Sequence, residues 1–401
     1  MRFSRHGPDI PNELVSRWRD GRVVFLAGAG ISMPSPTCLP NFRGLVLGVY
    51  ERLNDPLHAV LSQALQASSD EERNRVLQTS LLSARQRVEA GLFFASEYDR
   101  LFSALQRRID QDAMGRMTSR RIRTCVEQIL RAHGGHGQGH RDLARLSAAP
   151  RPVAALTIAG PTCRIVTTNF DLLLEDAWRA EFNSDPLSFD ARMAPRPGSH
   201  DFEGIVHVHG SLHRDDSQPA SLVLSSRDFA RVYLRSGVVA NYIYDLVRRY
   251  SVVLVGYSAE DETMRYLMDA IGEDVALFDD MNQPYAISAR VRGDDDPTGE
   301  ISAQTWWAKN IKPIPYDGNL ATDDQHAGLW SSLHEWAEWA RYDMEWVREK
   351  LAEATAVSYD EADGLAKNLV QDLFAILDHR DQVRAVEFSA TEGSIQLDHR
   401  H

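Results

Sequence analysis

Five short apolar runs punctuate the chain: Arg22 to Ala27, Arg164 to Thr167, Gly204 to His209, Ser251 to Val255 and Pro284 to Ile287. Each is rich in Val or Ile, and several are continuous rather than alternating, the pattern of parallel strands buried on both faces by helices. They predict an open α/β fold, a doubly wound and mostly parallel sheet. From Gly48 to about Pro150 the texture changes to Leu, Ala, Arg and Gln at helical spacing, as in Leu81, Ala84, Arg85 and Val88. That spacing predicts a helical insertion over 48–155, leaving 1–47 and 156–290 to the sheet. After Ile287 the acidic stretch Arg292 to Pro297 reads as a solvated loop. Beyond it, 291–401 is expected to form a C-terminal helical extension. There Leu333, Trp336, Ala340, Met344, Val347 and Leu351 form the apolar stripe of one amphipathic helix, either core or an oligomer contact. Arg384 to Phe388 and Ile395 to Leu397 are expected to pair as a small hairpin.

Composition narrows the function classes. With 401 residues, 43% of them hydrophobic, the chain can bury a large core. A net charge of −13 gives no electrostatic footprint for a phosphate backbone, so direct nucleic-acid binding is not expected. The cysteines, Cys38, Cys125 and Cys163, are far apart and form no CxxC pair, which excludes a four-cysteine zinc site or a disulfide framework. No segment offers the ~18 apolar residues of a membrane helix. A soluble, cytoplasmic, metal-free protein is the expectation. Three histidines recur in His133-Gly-Gly-His136-Gly-Gln-Gly-His140. The glycines of that run predict a mobile loop rather than preorganised metal ligands.

Chemistry gathers where strands end. The first strand runs into Ala27-Gly28-Ala29-Gly30-Ile31-Ser32, small residues that let a phosphate approach the backbone. Gly-Ala-Gly alone also fits a plain tight turn, and Met33 stands where a dinucleotide fingerprint has its third glycine. The second strand leaves through Thr167, Thr168, Asn169, Phe170 and Asp171. Asp171 suits a helix N-cap as well as chemistry. The Asn169 amide has both a donor and an acceptor for a ribose hydroxyl or a water. The third strand ends in His207-Val208-His209-Gly210, and a histidine beside glycine at a strand's carboxyl end is a candidate general base. The fourth ends in Gly256-Tyr257-Ser258 before the acids Glu260, Asp261 and Glu262. Ligands of open α/β sheets bind outside the carboxyl ends of strands, so these exits form one candidate crevice.

The same segments, in the same order, resemble the sirtuin (silent-information-regulator) family. Its patterns are Gly-Ala-Gly-x-Ser, Pro-Asp-Phe-Arg, Asn-x-Asp after a Thr-rich strand, His-Gly and a late Gly-x-Ser. Here they read Gly28 to Ser32, Pro40-Asn41-Phe42-Arg43, Asn169-Phe170-Asp171, His209-Gly210 and Gly256-Tyr257-Ser258. The flanking residues are closer to the bacterial defence branch than to the protein deacylases. The resemblance spans roughly residues 20 to 290 and implies a Rossmann-like domain that hydrolyses NAD to nicotinamide and ADP-ribose. It implies Gly28, Ala29 and Gly30 on the pyrophosphate, and Ser32, Asn41, Phe42 and Arg43 on a loop closing over nicotinamide. Asn169 would hold the ribose and attacking water, Asp171 would support it and His209 would act as base. Gly256 and Ser258 would face the adenosine, with Ala27, Thr168 and Tyr257 completing the NAD-binding set. Members of this branch deplete NAD during phage infection under the control of a trigger. The resemblance extends to the sirtuin-like, homo-oligomeric subunit of a system with a HerA-type hexameric ATPase, which implies activation by that partner in trans.

Two departures shape this reading: the family's zinc-binding cysteine quartet is absent, and Asn41 replaces the usual Asp. Both weigh against a protein deacylase, and the amide at 41 changes the expected contact with nicotinamide. A non-catalytic sensor of NAD or ADP-ribose, or a scaffold for an ATPase, stays open beside the hydrolase. A nuclease would have to draw on Asp261 and Glu262.

Overall fold

The structure, a computed structural model, describes residues 1–112, 118–148, 162–213, 221–258, 272, 281–292, 296, 298–318, 326–355, 364–377 and 381–382. Its centre is a seven-stranded, all-parallel sheet: β1 (Val23–Ala27), β2 (Arg164–Thr167), β3 (Ser188–Asp190), β4 (Gly204–His207), β5 (Ser251–Val255), β6 (Tyr285–Arg290) and β7 (Lys312–Asp317). The spatial order is β3-β4-β2-β1-β5-β6-β7, with every pairing parallel. Chain direction across the sheet reverses between β1 and β5, the switch point at which doubly wound sheets open a crevice. This is the Rossmann-like arrangement expected from the apolar runs.

The continuous apolar pattern of β1 has a direct cause. Val23, Phe25 and Ala27 face one core, and Val24 and Leu26 face another. The first core is closed by α1 (Asn12–Arg19), by α8 (Gln138–Ser147) and α9 (Leu173–Phe182), and by three C-terminal helices: α13 (Ala327–Tyr342), α14 (Met344–Thr355) and α15 (Gly364–Ile376). Phe3, Trp18 and Phe25 pack on the buried Trp336, and Trp339 packs on Phe3 and Trp18. The second core is closed by α11 (Val238–Arg249) and by α12 (Ile301–Trp307) through Trp306. Here α10 (Ser226–Phe229) continues as a π-helical turn over Ala230–Arg235.

The helices between β1 and β2 divide by what they bury. α2 (Phe42–Arg52), α3 (Leu57–Leu65), α4 (Asp70–Thr79), α5 (Ala84–Phe94), α6 (Tyr98–Asp112) and α7 (Thr118–Leu130) build a third core. That core also takes in Phe170 and Leu173, just past β2, and Leu212, Leu222 and Leu224, after β4. A helical wall therefore stands against the strand exits, whereas α8 turns back onto the sheet through Leu143, Ala144 and Leu146.

Two strands escaped the sequence reading, and both are edges. β3 has three residues. β7 reads Lys-Pro-Ile-Pro-Tyr-Asp, so the C-terminal segment is not helical throughout. The Lys312 amide donates toward Pro284 in the neighbouring segment, so the alternate positions 313 and 315 turn their nitrogens to the open edge, where proline loses no ladder bond. The expected single C-terminal helix is broken at Asp343, whose φ is +40°. The break folds α14 back so that Trp346, Val347 and Leu351 share the core of Leu333 and Trp336, and the stripe is core. β4 stops at His207, leaving His209 in the following turn. The expected hairpin over 384–397 and the acids Asp261 and Glu262 lie outside the described residues.

The helical wall is pinned by a buried ionic knot. Arg108 bonds Glu89 and Asp55, and Tyr50 donates to Glu89 at 2.9 Å. Burial, then the neighbouring Glu89 carboxylate, pushes the Tyr50 hydroxyl well above its usual range. Removing the cation strands two carboxylates away from water, so Arg108→Met is expected to cost about 3–5 kcal/mol in urea unfolding. A cost below about 1 kcal/mol would show that water reaches the knot.

Candidate functional site

Backbone register lines up the four motif-bearing exits. Ala27 pairs with Thr167 and with Val255, and Thr167 pairs with His207, so β4, β2, β1 and β5 end in one row. At the spacing of neighbouring strands that row is about 14 Å long. At its switch point two turns touch. The Gly28 amide donates to the Val255 carbonyl at 2.8 Å and the Gly30 amide to the Gly256 carbonyl at 2.9 Å. A Cβ on Gly30 would lie 2.8 Å from the Gly256 Cα, and one on Gly28 would lie 2.7 Å from the Gly256 carbonyl oxygen. These glycines are required first by the contact between the two turns, and their own amides are already engaged there. Tyr257 lies over Gly28, and its hydroxyl meets Thr168 Oγ1 at 2.8 Å and the Ala27 carbonyl at 3.2 Å. Ser258 is exposed.

Beside this contact sits a buried polar junction centred on Ser32, which follows the Gly-rich turn. Asn169 Nδ2 donates to Ser32 Oγ at 3.2 Å, and Ser32 Oγ donates to Asp171 Oδ2 at 3.1 Å. His140 Nε2 is 3.0 Å from the same hydroxyl. The Gly137 amide donates to His140 Nδ1, so a neutral ring carries its proton on Nε2 and donates it to Ser32. Burial holds His140 neutral, pulled down to about 4. Asp171 Oδ1 accepts from the Leu173 amide at the start of α9, so it does helix-start duty and site duty together. Burial raises the Asp171 carboxyl above its usual range, against the hydrogen bond from Leu173 and the nearby His207.

The two strand-end histidines part company. His207 is fully buried between two acceptors: its Nδ1 donates to the Asn169 carbonyl at 2.8 Å and its Nε2 to Glu175 at 2.8 Å. Burial opposes its charge, but the Glu175 carboxylate and the two hydrogen bonds outweigh that and raise the imidazole above its ordinary value. Glu175 shifts the opposite way: burial raises it, and the His207 charge more than reverses that. A buried imidazolium–carboxylate pair thus grips the backbone of Asn169. His209 instead meets the Tyr233 hydroxyl at 2.6 Å, beside Phe229, on the π-helical turn. Burial alone drives it down to about 3, so it is neutral near pH 7.

The remaining expected residues sit at the helical wall. Asn41 caps α2 by accepting from the Gly44 amide, Phe42 packs on Tyr98 and Phe102, and Arg43 reaches the Tyr98 hydroxyl at 3.2 Å. Ser32, Asn169 and Asp171 are thus brought together, as are Ala27, Gly28, Ala29, Gly30, Thr168, Gly256 and Tyr257, while Asn41 to Arg43 make their bonds elsewhere. Sequence reading missed His140, Glu175 and Tyr233. Among the described residues, no group of three His, Cys, Asp or Glu is placed to hold a metal.

With the geometry in place, comparison with known proteins bears on the family-level reading. Residues 164–314 match the SIR2-like domain. That match supports a sirtuin-like fold and points to NAD-related activity at the family level. The SIR2-like region opens at β2 and contains Asn169, Asp171, His209 and Gly256. The Gly28 turn, Ser32 and His140 precede it. The chain is also similar to the uncharacterized protein y4cA of Sinorhizobium fredii, with 33% identity over 341 residues. That alignment takes in 83% of this chain, which spans about a quarter (24%) of the relative's length.

Two outcomes follow from this geometry. Because only backbone meets the added Cβ, Gly30→Ala is expected to lower the thermal midpoint and weaken NAD binding by calorimetry; unchanged values would mean the turns are free to part. His140 and His209 bind protons more weakly folded than unfolded, so between about pH 6.5 and their lowered values the unfolded chain holds more protons. Stability is therefore lost as pH falls through that window, and His209→Gln is expected to flatten the decline in a series of thermal melts.

Proposed function

We propose that the chain hydrolyses NAD, breaking the nicotinamide–ribose bond to release nicotinamide and ADP-ribose. The observation that carries this reading is the convergence of Asn169, Asp171 and Ser32 in one buried junction beside the switch point of a doubly wound sheet, with a neutral histidine just past the neighbouring strand β4. In this reaction the C–N bond electrons leave with nicotinamide and an oxocarbenium-like ribose forms. Water attacks the anomeric carbon and gives up a proton. Most of the protein's contribution is orientation and stabilisation of charge.

In this reading Asn169 holds the ribose and the attacking water, with its backbone fixed by His207. Asp171 anchors the junction, and His209 takes the proton as the water or a ribose hydroxyl reacts. Ala27, Gly28, Ala29, Gly30, Thr168, Gly256, Tyr257 and Ser258 line the dinucleotide. Ser32, Asn41, Phe42 and Arg43 form the side toward nicotinamide. We extend the proposal to NAD depletion in anti-phage defence by a cytoplasmic homo-oligomer controlled by a HerA-type ATPase. The motif resemblance to the defence branch is its support.

A second reading, NAD sensing without turnover, is favoured by one feature: Ser32, Asn169, Asp171 and His209 are between 2% and 8% exposed, and Tyr257 covers the glycine turn. Chromatographic measurement of nicotinamide release separates the two. Asn169→Ala and His209→Ala are each expected to cut release about 10²–10⁴-fold while folding normally. Tight NAD binding by a wild type that releases nothing, alone or with an ATPase partner, would establish the sensor. The low value of His209 adds a pH signature: a base already neutral above about pH 3 leaves no histidine-like limb in kcat/KM between pH 5 and 8. An activity that falls away below about pH 6.5 would contradict it.

A further inference from the structure

The histidine- and glycine-rich run between α7 and α8 fits closely against the site. Gly134 lies against Pro36, where a Cβ would come within 2.0 Å of the Pro36 carbonyl oxygen. Thr37 Oγ1 donates to the Gly135 carbonyl at 2.8 Å, and the Gly134 amide faces the Thr37 carbonyl at 3.4 Å. The glycines thus let the run pack on the segment that follows Ser32. It ends by delivering His140, on the first turn of α8 and 0% exposed, to the Ser32 hydroxyl.

α8 is itself held firmly. Two residues beyond His140, buried Asp142 accepts from Gln138 at 2.8 Å and from His334 of α13 at 3.1 Å. Arg145 is clamped between Glu181 of α9 and Glu338 of α13. A ring on such a rigid support has one orientation, and the Gly137 amide leaves it one protonated nitrogen to offer. The Ser32 oxygen then accepts from His140 and Asn169 and has its single proton left for Asp171.

We propose that His140 is a positioning residue: its Nε2–H locks the Ser32 hydroxyl, so that the Asn169 amide and the Asp171 carboxylate meet NAD in one fixed arrangement. The inference rests on the hydrolase reading. It assigns to the Gly-rich run a role that none of the strand-exit motifs carries. Without His140 the hydroxyl keeps only Asp171 and Asn169, so it loses the donor that fixes it from α8 and the Asn169 amide is aimed at a less tightly held oxygen.

The test compares wild type, His140→Ala, His140→Gln and Ser32→Ala, using steady-state nicotinamide release, calorimetric NAD binding and the imidazole nitrogen spectrum of His140. A glutamine offers an amide N–H in about the place of Nε2–H. His140→Ala is expected to lose about 10²-fold in kcat with little change in KM, and His140→Gln to regain most of it. Wild-type kcat in His140→Ala, or a glutamine no better than alanine, would overturn the proposal. If wild type releases no nicotinamide, alone or with an ATPase partner, the hydrolase reading fails and the spectrum decides the inference separately. Ser32→Ala must then shift the protonated Nε2 resonance and weaken NAD binding, and an unmoved resonance overturns it. Should His140→Ala not fold, Ser32→Ala and His140→Gln carry the same comparison.

Discussion

A hydroxyl withdrawn from water must be paired or it costs the fold dearly, and Ser32 meets that demand with partners from two other stretches of chain. Its oxygen is the point at which the exit of β1, the exit of β2 and the first turn of α8 are tied together. The tie is compatible with the sheet only because the strands end in one row and because Gly28, Gly30 and Gly256 let two turns approach to backbone contact. Parallel pairing thus supplies the coarse placement, glycine the close approach, and the hydroxyl the final alignment.

Charge is distributed around this junction with a division of labour. The His207–Glu175 pair is ionised and structural: it holds the backbone carbonyl of Asn169. His140 and His209 are kept neutral by burial, so His140 offers a single N–H to Ser32 and His209 stands uncharged against the Tyr233 hydroxyl. Three histidines thereby differ in charge and partner: an acid keeps His207 charged against burial, while burial leaves His140 neutral beneath an amide and His209 neutral beside a tyrosine hydroxyl.

Much of this was legible in the sequence. Runs such as Val23 to Ala27 and Ser251 to Val255 are β-branched and buried on both sides, so they announce parallel strands, and small or polar residues at their ends mark the crevice. Edges were not legible, because β7 alternates proline with apolar residues and β3 is too short to carry a pattern. His140 was hidden for a different reason. Glycines around a histidine read as slack when their real cause, the close passage of Pro36 and Thr37, exists only in three dimensions. Glu175 and Tyr233 lie on helices whose spacing is satisfied by packing alone, so nothing in the pattern marks them as partners of His207 and His209. The broken helix at Asp343 shows the same limit: an apolar stripe gives the face that is buried, not whether the chain folds back along it.

On the proposed function, this buried junction turns NAD over rather than merely holding it. Proton NMR of NAD incubated with wild type and with Asn169→Ala, each with and without an ATPase partner, reads substrate and both products in one sample. Equal amounts of nicotinamide and ADP-ribose are expected from wild type, and intact NAD with the variant. NAD that binds wild type and stays intact in every sample, or products that form equally well without the Asn169 amide, would contradict it.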